Sequence, residues 1–139
     1  MDRKTCFEWA ASLSEDDAVA LGQLALDHLS DPISIVMPPT VGMVMARVID
    51  GALGDVFNLG EVLVTEARVA VGDTVGWGMV VGSAPDHALA VALIDGAIAH
   101  GGSAADIVAQ RLREIVESRP SPHPGWNELQ ATRVAFENF

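Results

Sequence analysis

The residues able to do chemistry are few and scattered. Four histidines, His28, His87, His100 and His123, are the strongest candidates for metal ligation or proton transfer in the 139-residue chain. No two stand three or four residues apart, the spacing at which one helix face offers a metal two imidazoles. His87 and His100 share an expected helix, but thirteen residues at about 100° each turn them to different sides. Glu61 follows the turn-rich stretch Asp55–Gly60, where a carboxylate either faces a ligand or partner or lies on an exposed strand edge. Chemistry alone favours the exposed edge. Asp95 is set in an apolar helix between Ile94 and Gly96, so it lies on a solvated strip or is paired across a subunit contact. Arg133 is an available cation for it.

Two glycine-containing stretches could bind a ligand and have simpler explanations. Gly76-Trp77-Gly78 lies in an expected strand, where glycines weaken the ladder unless something approaches the backbone closely. A packed helix accounts for them at least as well as a ligand. Gly82 to His87 joins a strand to a helix start, and free amides at a helix N-terminus can hold phosphate. The lysine and spacing of a Walker loop are missing, no dinucleotide fingerprint is present, and Asp86 would repel an anion. Ordinary helix capping is the better reading. No Ser/His/Asp set and no pair of carboxylates stands out. Glu61, Trp77, His87, Asp95 and Arg133 are therefore candidate functional or interface residues, with no catalytic residue and no metal ligand assigned.

The elements that must position these residues read as helices, then strands, then helices. Phe7, Ala10 and Ala11 form one stripe of an N-terminal helix. Ser14 is placed to cap a second helix whose first turn, Glu15-Asp16-Asp17, suits the helix dipole. Asp31-Pro32 ends it. Four strands are expected next: Ile33–Met37, Val41–Ile49 beyond Pro38-Pro39, Gly60–Val71, and Val75–Val81. Their short links favour antiparallel neighbours. Ser83 and Asp86 have capping-box spacing before a helix from Ala88 to Ile98, apolar nearly all round and so in need of cover on more than one side. After Gly101-Gly102, Ser103 can cap a helix from Ala104 to about Ser118 with Ile107, Val108, Leu112, Ile115 and Val116 inward. Prolines 120, 122 and 124 precede a last helix, about Trp126 to Phe136. The expected fold is α+β, a single domain over residues 1–139. It is a four-stranded antiparallel meander with helices before and after it packed on one face. Gly51–Gly60 and Pro120–Gly125 are the loops expected to be mobile.

Composition narrows the class further. Half the residues are hydrophobic, with three Trp, four Phe and no Tyr, so the core is aliphatic. Nineteen acidic against eight basic residues give a net charge of -11, which opposes binding to nucleic acid or to an anionic membrane surface. The lone Cys6 excludes an internal disulfide. No secretory signal opens the chain, and apolar runs such as Ala88–Ile94 are too short to span a bilayer. A cytoplasmic location is expected.

Four segments, taken in order, resemble the PhnG family of the carbon–phosphorus lyase system. Phe57-Asn58-Leu59-Gly60-Glu61-Val62-Leu63-Val64-Thr65 is similar to its F-N-L-G-E-V-x-V-T pattern. Gly76-Trp77-Gly78-Met79-Val80-Val81-Gly82 looks like its G-[YW]-x-x-V-x-G strand. His87-Ala88 with Ala92-Leu93-Ile94-Asp95 matches H-A-x-x-x-A-L-x-D, and Ala131-Thr132-Arg133-Val134 with Phe136 matches A-T-R-V-x-F. Trp9 and Leu13 fit a weaker N-terminal match, so the resemblance covers about Trp9 to Phe136. Two positions depart from it: Ser83-Ala84 stands where the family has Arg-Asp after the glycine, and Ala135 where it has Asp. These are the marks of a divergent member.

The resemblance implies a subunit that works with PhnH, PhnI and PhnJ. It supports a PhnI-type displacement of adenine from ATP by a phosphonate, giving ribose 1-methylphosphonate 5-triphosphate. On that reading the chain is not catalytic alone and binds no cofactor of its own, ATP being a substrate of the complex. It is a possible homo-oligomer in isolation. The alternatives are an independent small phosphate-ester-binding protein or enzyme using His87, Glu61 and Arg133, or a homo-oligomeric structural paralogue.

Overall fold

A computed structural model describes residues 2–50, 56–119 and 132–138, with side chains for 2–45 and 60–119. Helix α1, Arg3–Ser12, starts where the Asp2 carboxylate accepts the Thr5 amide at 2.7 Å. Helix α2, Glu15–His28, is capped by Ser14, whose hydroxyl accepts the Asp17 amide at 3.2 Å, with the three acidic residues in its first turn. Strands β1, Ile33–Asp50, β2, Val56–Val71, and β3, Thr74–Val81, then form an antiparallel meander. Helices α3, Pro85–His100, and α4, Gly102–Glu117, follow, and strand β4, Thr132–Asn138, comes last. Among the described residues no helix is long and apolar enough to cross a membrane.

The chain is α+β, but the four-stranded meander is corrected to three strands. The expected first and second strands are one, because β1 runs through Pro38-Pro39. Prolines cannot donate to a ladder and are tolerated at irregularities. Here the register with β2 shifts between Met37 and Thr40, around the two prolines, and the Thr40 hydroxyl bridges to the Pro38 carbonyl at 2.8 Å. Strand β2 also begins earlier than expected, at Val56. Gly60, read as a strand start, is a bulge inside it: φ is +113° there, and the register slips opposite Ala46 and Arg47.

The expected last helix is likewise corrected, since Thr132–Asn138 is a strand paired antiparallel with the end of β1. The order is thus β3-β2-β1-β4, and β4 is none of the four strands foreseen. The stretches 51–55 and 120–131, which hold most of the loops expected to be mobile and the start of that helix, lie outside the described residues, as does His123. Two capping expectations also fail. Helix α3 has Ala84 at its N-cap with Pro85 in the first turn, and α4 starts after Gly101, neither with a side-chain cap.

Helix α3 is the centre of the molecule. It packs on β2 and β3 on one side and against α1, α2 and α4 on the others. Nine consecutive or nearly consecutive residues, Ala88 and Ala90 to Ala97, are buried, as an all-round apolar helix requires. Its seat on β3 depends on two glycines. A Cβ at Gly76 would overlap the Ala92 carbonyl and the Gly96 amide, and one at Gly78 would overlap the Ala88 carbonyl. Close helix packing therefore explains both.

Candidate functional site

The buried charge of the core marks the site. Asp95, midway along α3, is only 3% exposed, and burial of a carboxylate is costly unless it is paired and hydrogen-bonded. It is both. Arg3 donates to it from Nε at 3.1 Å and from an Nη nitrogen at 2.8 Å, and the backbone N–H of Trp77 donates at 2.9 Å. The same Arg3 nitrogen also donates to the Val75 carbonyl at 2.8 Å. The hydrogen bonds from Arg3 to Asp95 raise the guanidinium above its ordinary value. The ion pair ties together α1, α3 and β3, which are far apart in sequence.

Trp77 carries a second set of contacts through its side chain. Its ring stacks on Phe7 of α1, centroids 4.8 Å apart and planes within 2°. Its indole N–H donates to Glu66 of β2 at 2.8 Å, and Arg68 reaches the same carboxylate at 3.3 Å. A third knot holds the β3–α3 turn. The wholly buried Thr65 hydroxyl donates to the Gly82 carbonyl at 2.6 Å and accepts the Ala84 amide at 2.9 Å.

Of the five candidates, the structure brings together Trp77 and Asp95 and leaves the rest apart. Glu61 is exposed on β2, in register with Met45 of β1. His87 is half-buried in the first turn of α3, and its Nε2 is buried with no hydrogen-bond partner among the described residues. Arg133 lies on β4 in register with Ile49, beyond the residues whose side chains are described. Sequence reasoning missed Arg3, the actual partner of Asp95 within the chain. The available signal was Arg3 and Phe7, one helical turn apart and so on one face of α1.

Structurally, this arrangement is a lock: both Asp95 oxygens are engaged by donors within the chain. Among the described residues no cluster of His, Cys, Asp or Glu could hold a metal. Of the surface hollows described, the roomiest, about 390 Å³, is walled mainly by Phe7, Ala11, Val64, Met79, Val80 and Val81. Neither Glu61 nor His87 lines it.

Comparison with known proteins gives this lock its context. The family model for "Phosphonate metabolism protein PhnG" matches residues 2–139. The chain belongs to the PhnG family. A curated relative from Rhizobium meliloti (strain 1021) is 33% identical over 148 aligned positions, covering 91% of this chain and 93% of the relative. That relative is named alpha-D-ribose 1-methylphosphonate 5-triphosphate synthase subunit PhnG. In this PhnG-family chain, three of the four segments that carried the resemblance meet around α3. The strand with Thr65 anchors the turn before it, the strand with Trp77 lies under it, and the helix itself carries Asp95. The departure at Ser83-Ala84 falls on that same turn, where Ala84 keeps a backbone bond to Thr65.

Proposed function

We propose that this chain is a non-catalytic assembly subunit of an alpha-D-ribose 1-methylphosphonate 5-triphosphate synthase complex in the cytoplasm. It supports a PhnI-type subunit as that subunit displaces adenine from ATP with a phosphonate, and it works beside PhnH- and PhnJ-type subunits. It binds no cofactor itself; ATP is a substrate of the complex. Glu61, Trp77, His87, Asp95 and Arg133 act by shaping or presenting the contact surface. The observation that carries this reading is the family match over nearly the whole chain, since it includes every segment that builds the fold.

The distribution of apolar surface supports the same reading. Along β1, Ile33, Ile35, Val36, Val41 and Met43 are exposed, and Leu63 of β2 joins them. Clustered exposed apolar residues mark surfaces that another protein covers. An obligate contact of this sort buries on the order of 2,000 Å² or more.

Co-expression with a PhnI-type subunit tests the proposal. A stable complex that survives size-exclusion chromatography at micromolar concentration is expected. A chain that stays a well-behaved monomer and ignores PhnI under those conditions would overturn it.

A further inference from the structure

The last strand of an open sheet leaves a row of backbone donors and acceptors unpaired. Among the described residues, strand β3 holds that position. Its eight residues, Thr74–Val81, contain no charge and no proline, and Val75 and Val81 are 46% and 65% exposed. An uncharged, proline-free strand of this kind is a template for another strand. Many edge strands guard themselves with a lysine or proline of their own; β3 has neither.

Its guard comes from elsewhere in the fold. Alternate residues of a strand turn their N–H and C=O groups to the same edge. Gly82, just beyond β3, donates to Leu63 of β2 at 2.8 Å, so residues in step with it face β2. Val75 and Trp77 are out of step and face the open edge. Two of their outward groups are already taken: the Val75 carbonyl by Arg3 and the Trp77 amide by Asp95. Arg3 and Asp95 are bonded to each other, and Phe7, one turn along α1, stacks on Trp77.

We infer that α1 is a strap closing the β3 edge against antiparallel pairing with β3 of a second copy of this chain, and that the Arg3–Asp95 pair fastens it. A second copy is the occupant that fits. The chain bears a net charge of -11, yet two uncharged β3 strands meet without opposing like charges along the seam. Antiparallel pairing of identical strands also closes on itself as a two-fold dimer.

Light scattering after size-exclusion chromatography, on the full chain, tests this. Arg3→Ala should show a roughly twofold higher weight-average mass than the wild type at about 100 μM, with an unchanged far-UV circular dichroism spectrum. Adding Val75→Lys to Arg3→Ala should return the mass to the wild-type value, because it puts a charge into the exposed edge. If Arg3→Ala is recovered unfolded, Arg3→Gln is read in the same way. A folded Arg3 variant with the wild-type mass overturns the inference. So does a double variant as associated as Arg3→Ala alone, since the contact would then lie elsewhere.

Discussion

At β3 the sheet meets helix α3 so closely that two positions have room only for glycine, and its open edge is tied to α1 through Asp95 and Arg3. Along the first half of β1 the same sheet has no such cover. From Ile33 to Val36 every residue is exposed, with Ile35 at 57% and Val36 at 54%, so neither face of that stretch is covered by the described residues. Both regions are rich in β-branched aliphatic residues, Val in β3 and Ile with Val in β1, and hydropathy alone does not separate them. What separates them is the polar hardware. The β3 side has the buried Asp95 and Thr65, each fully bonded, and these fix how α3 and α1 sit. Among the described residues β1 has no buried polar side chain of this kind. Buried polar groups that are completely satisfied specify a unique packing. A surface without them is free to be completed by another polypeptide.

The largest effect should come from breaking the close seat on β3. Gly76→Val forces side-chain atoms into the backbone of α3 at Ala92 and Gly96, where no flexible side chain can yield. A loss of about 3 kcal/mol or more is expected, read as a lower urea midpoint or as insoluble protein. Next comes Thr65→Val, which keeps the shape and removes the hydroxyl. It leaves the Ala84 amide and the Gly82 carbonyl without their partner, at a cost of about 1–3 kcal/mol in urea unfolding. If either variant were as stable as the wild type, the β3 side would not be the rigid half of the molecule.

How much of this was legible beforehand follows the range of each interaction. Most local signals read well, although the caps expected from Ser83 and Ser103 do not form. Ser14 caps α2, the glycines of β3 mark a close helix, and the all-apolar α3 is covered on several sides. Elements decided by distant partners read poorly. Pro38-Pro39 looked like a break because a proline cannot donate, but the long register of β1 against β2 carries the strand across them. Strand β4, Thr132–Asn138, overlaps the helix expected from about Trp126 to Phe136, although Val134 and Phe136 alternate with Arg133 and Glu137 at the period of a strand. Its pairing with β1 decides the matter, and nothing nearby in sequence announces it. The candidate site shows the same limit. Asp95 stood out as a carboxylate in an apolar helix, but its partner lies 92 residues away at the other end of the chain.

A smaller effect concerns pH and again belongs to the closed side. Cys6 is buried on the inner face of α1, and burial pushes its thiol above the ordinary value. The folded state therefore favours the neutral thiol. Stability from this source is intact below the pKa of the unfolded thiol, about 8.5, and is lost as pH rises from there through the folded value. The loss is up to about 1.4 kcal/mol per pH unit in that window. Urea unfolding of the wild type at rising alkaline pH should show the decline, and Cys6→Ala should flatten it. An equal decline in the variant would assign the pH dependence to other groups.

The smallest effect on the isolated chain is expected on the open side, and it sharpens the comparison most. Ile35 is exposed on β1, so Ile35→Asp removes little buried area and adds a charge that water can solvate. Its effect on urea unfolding should stay within about 0.5 kcal/mol. If a partner covers this strand, however, the same carboxylate is driven into an apolar interface, where an unpaired charge is strongly disfavoured. Capture by a PhnI-type subunit should then fall at least about tenfold, the equivalent of 1.4 kcal/mol. The two readouts must separate for the open side to be an interface. A large loss of stability with binding unchanged would instead make β1 part of the chain's own core.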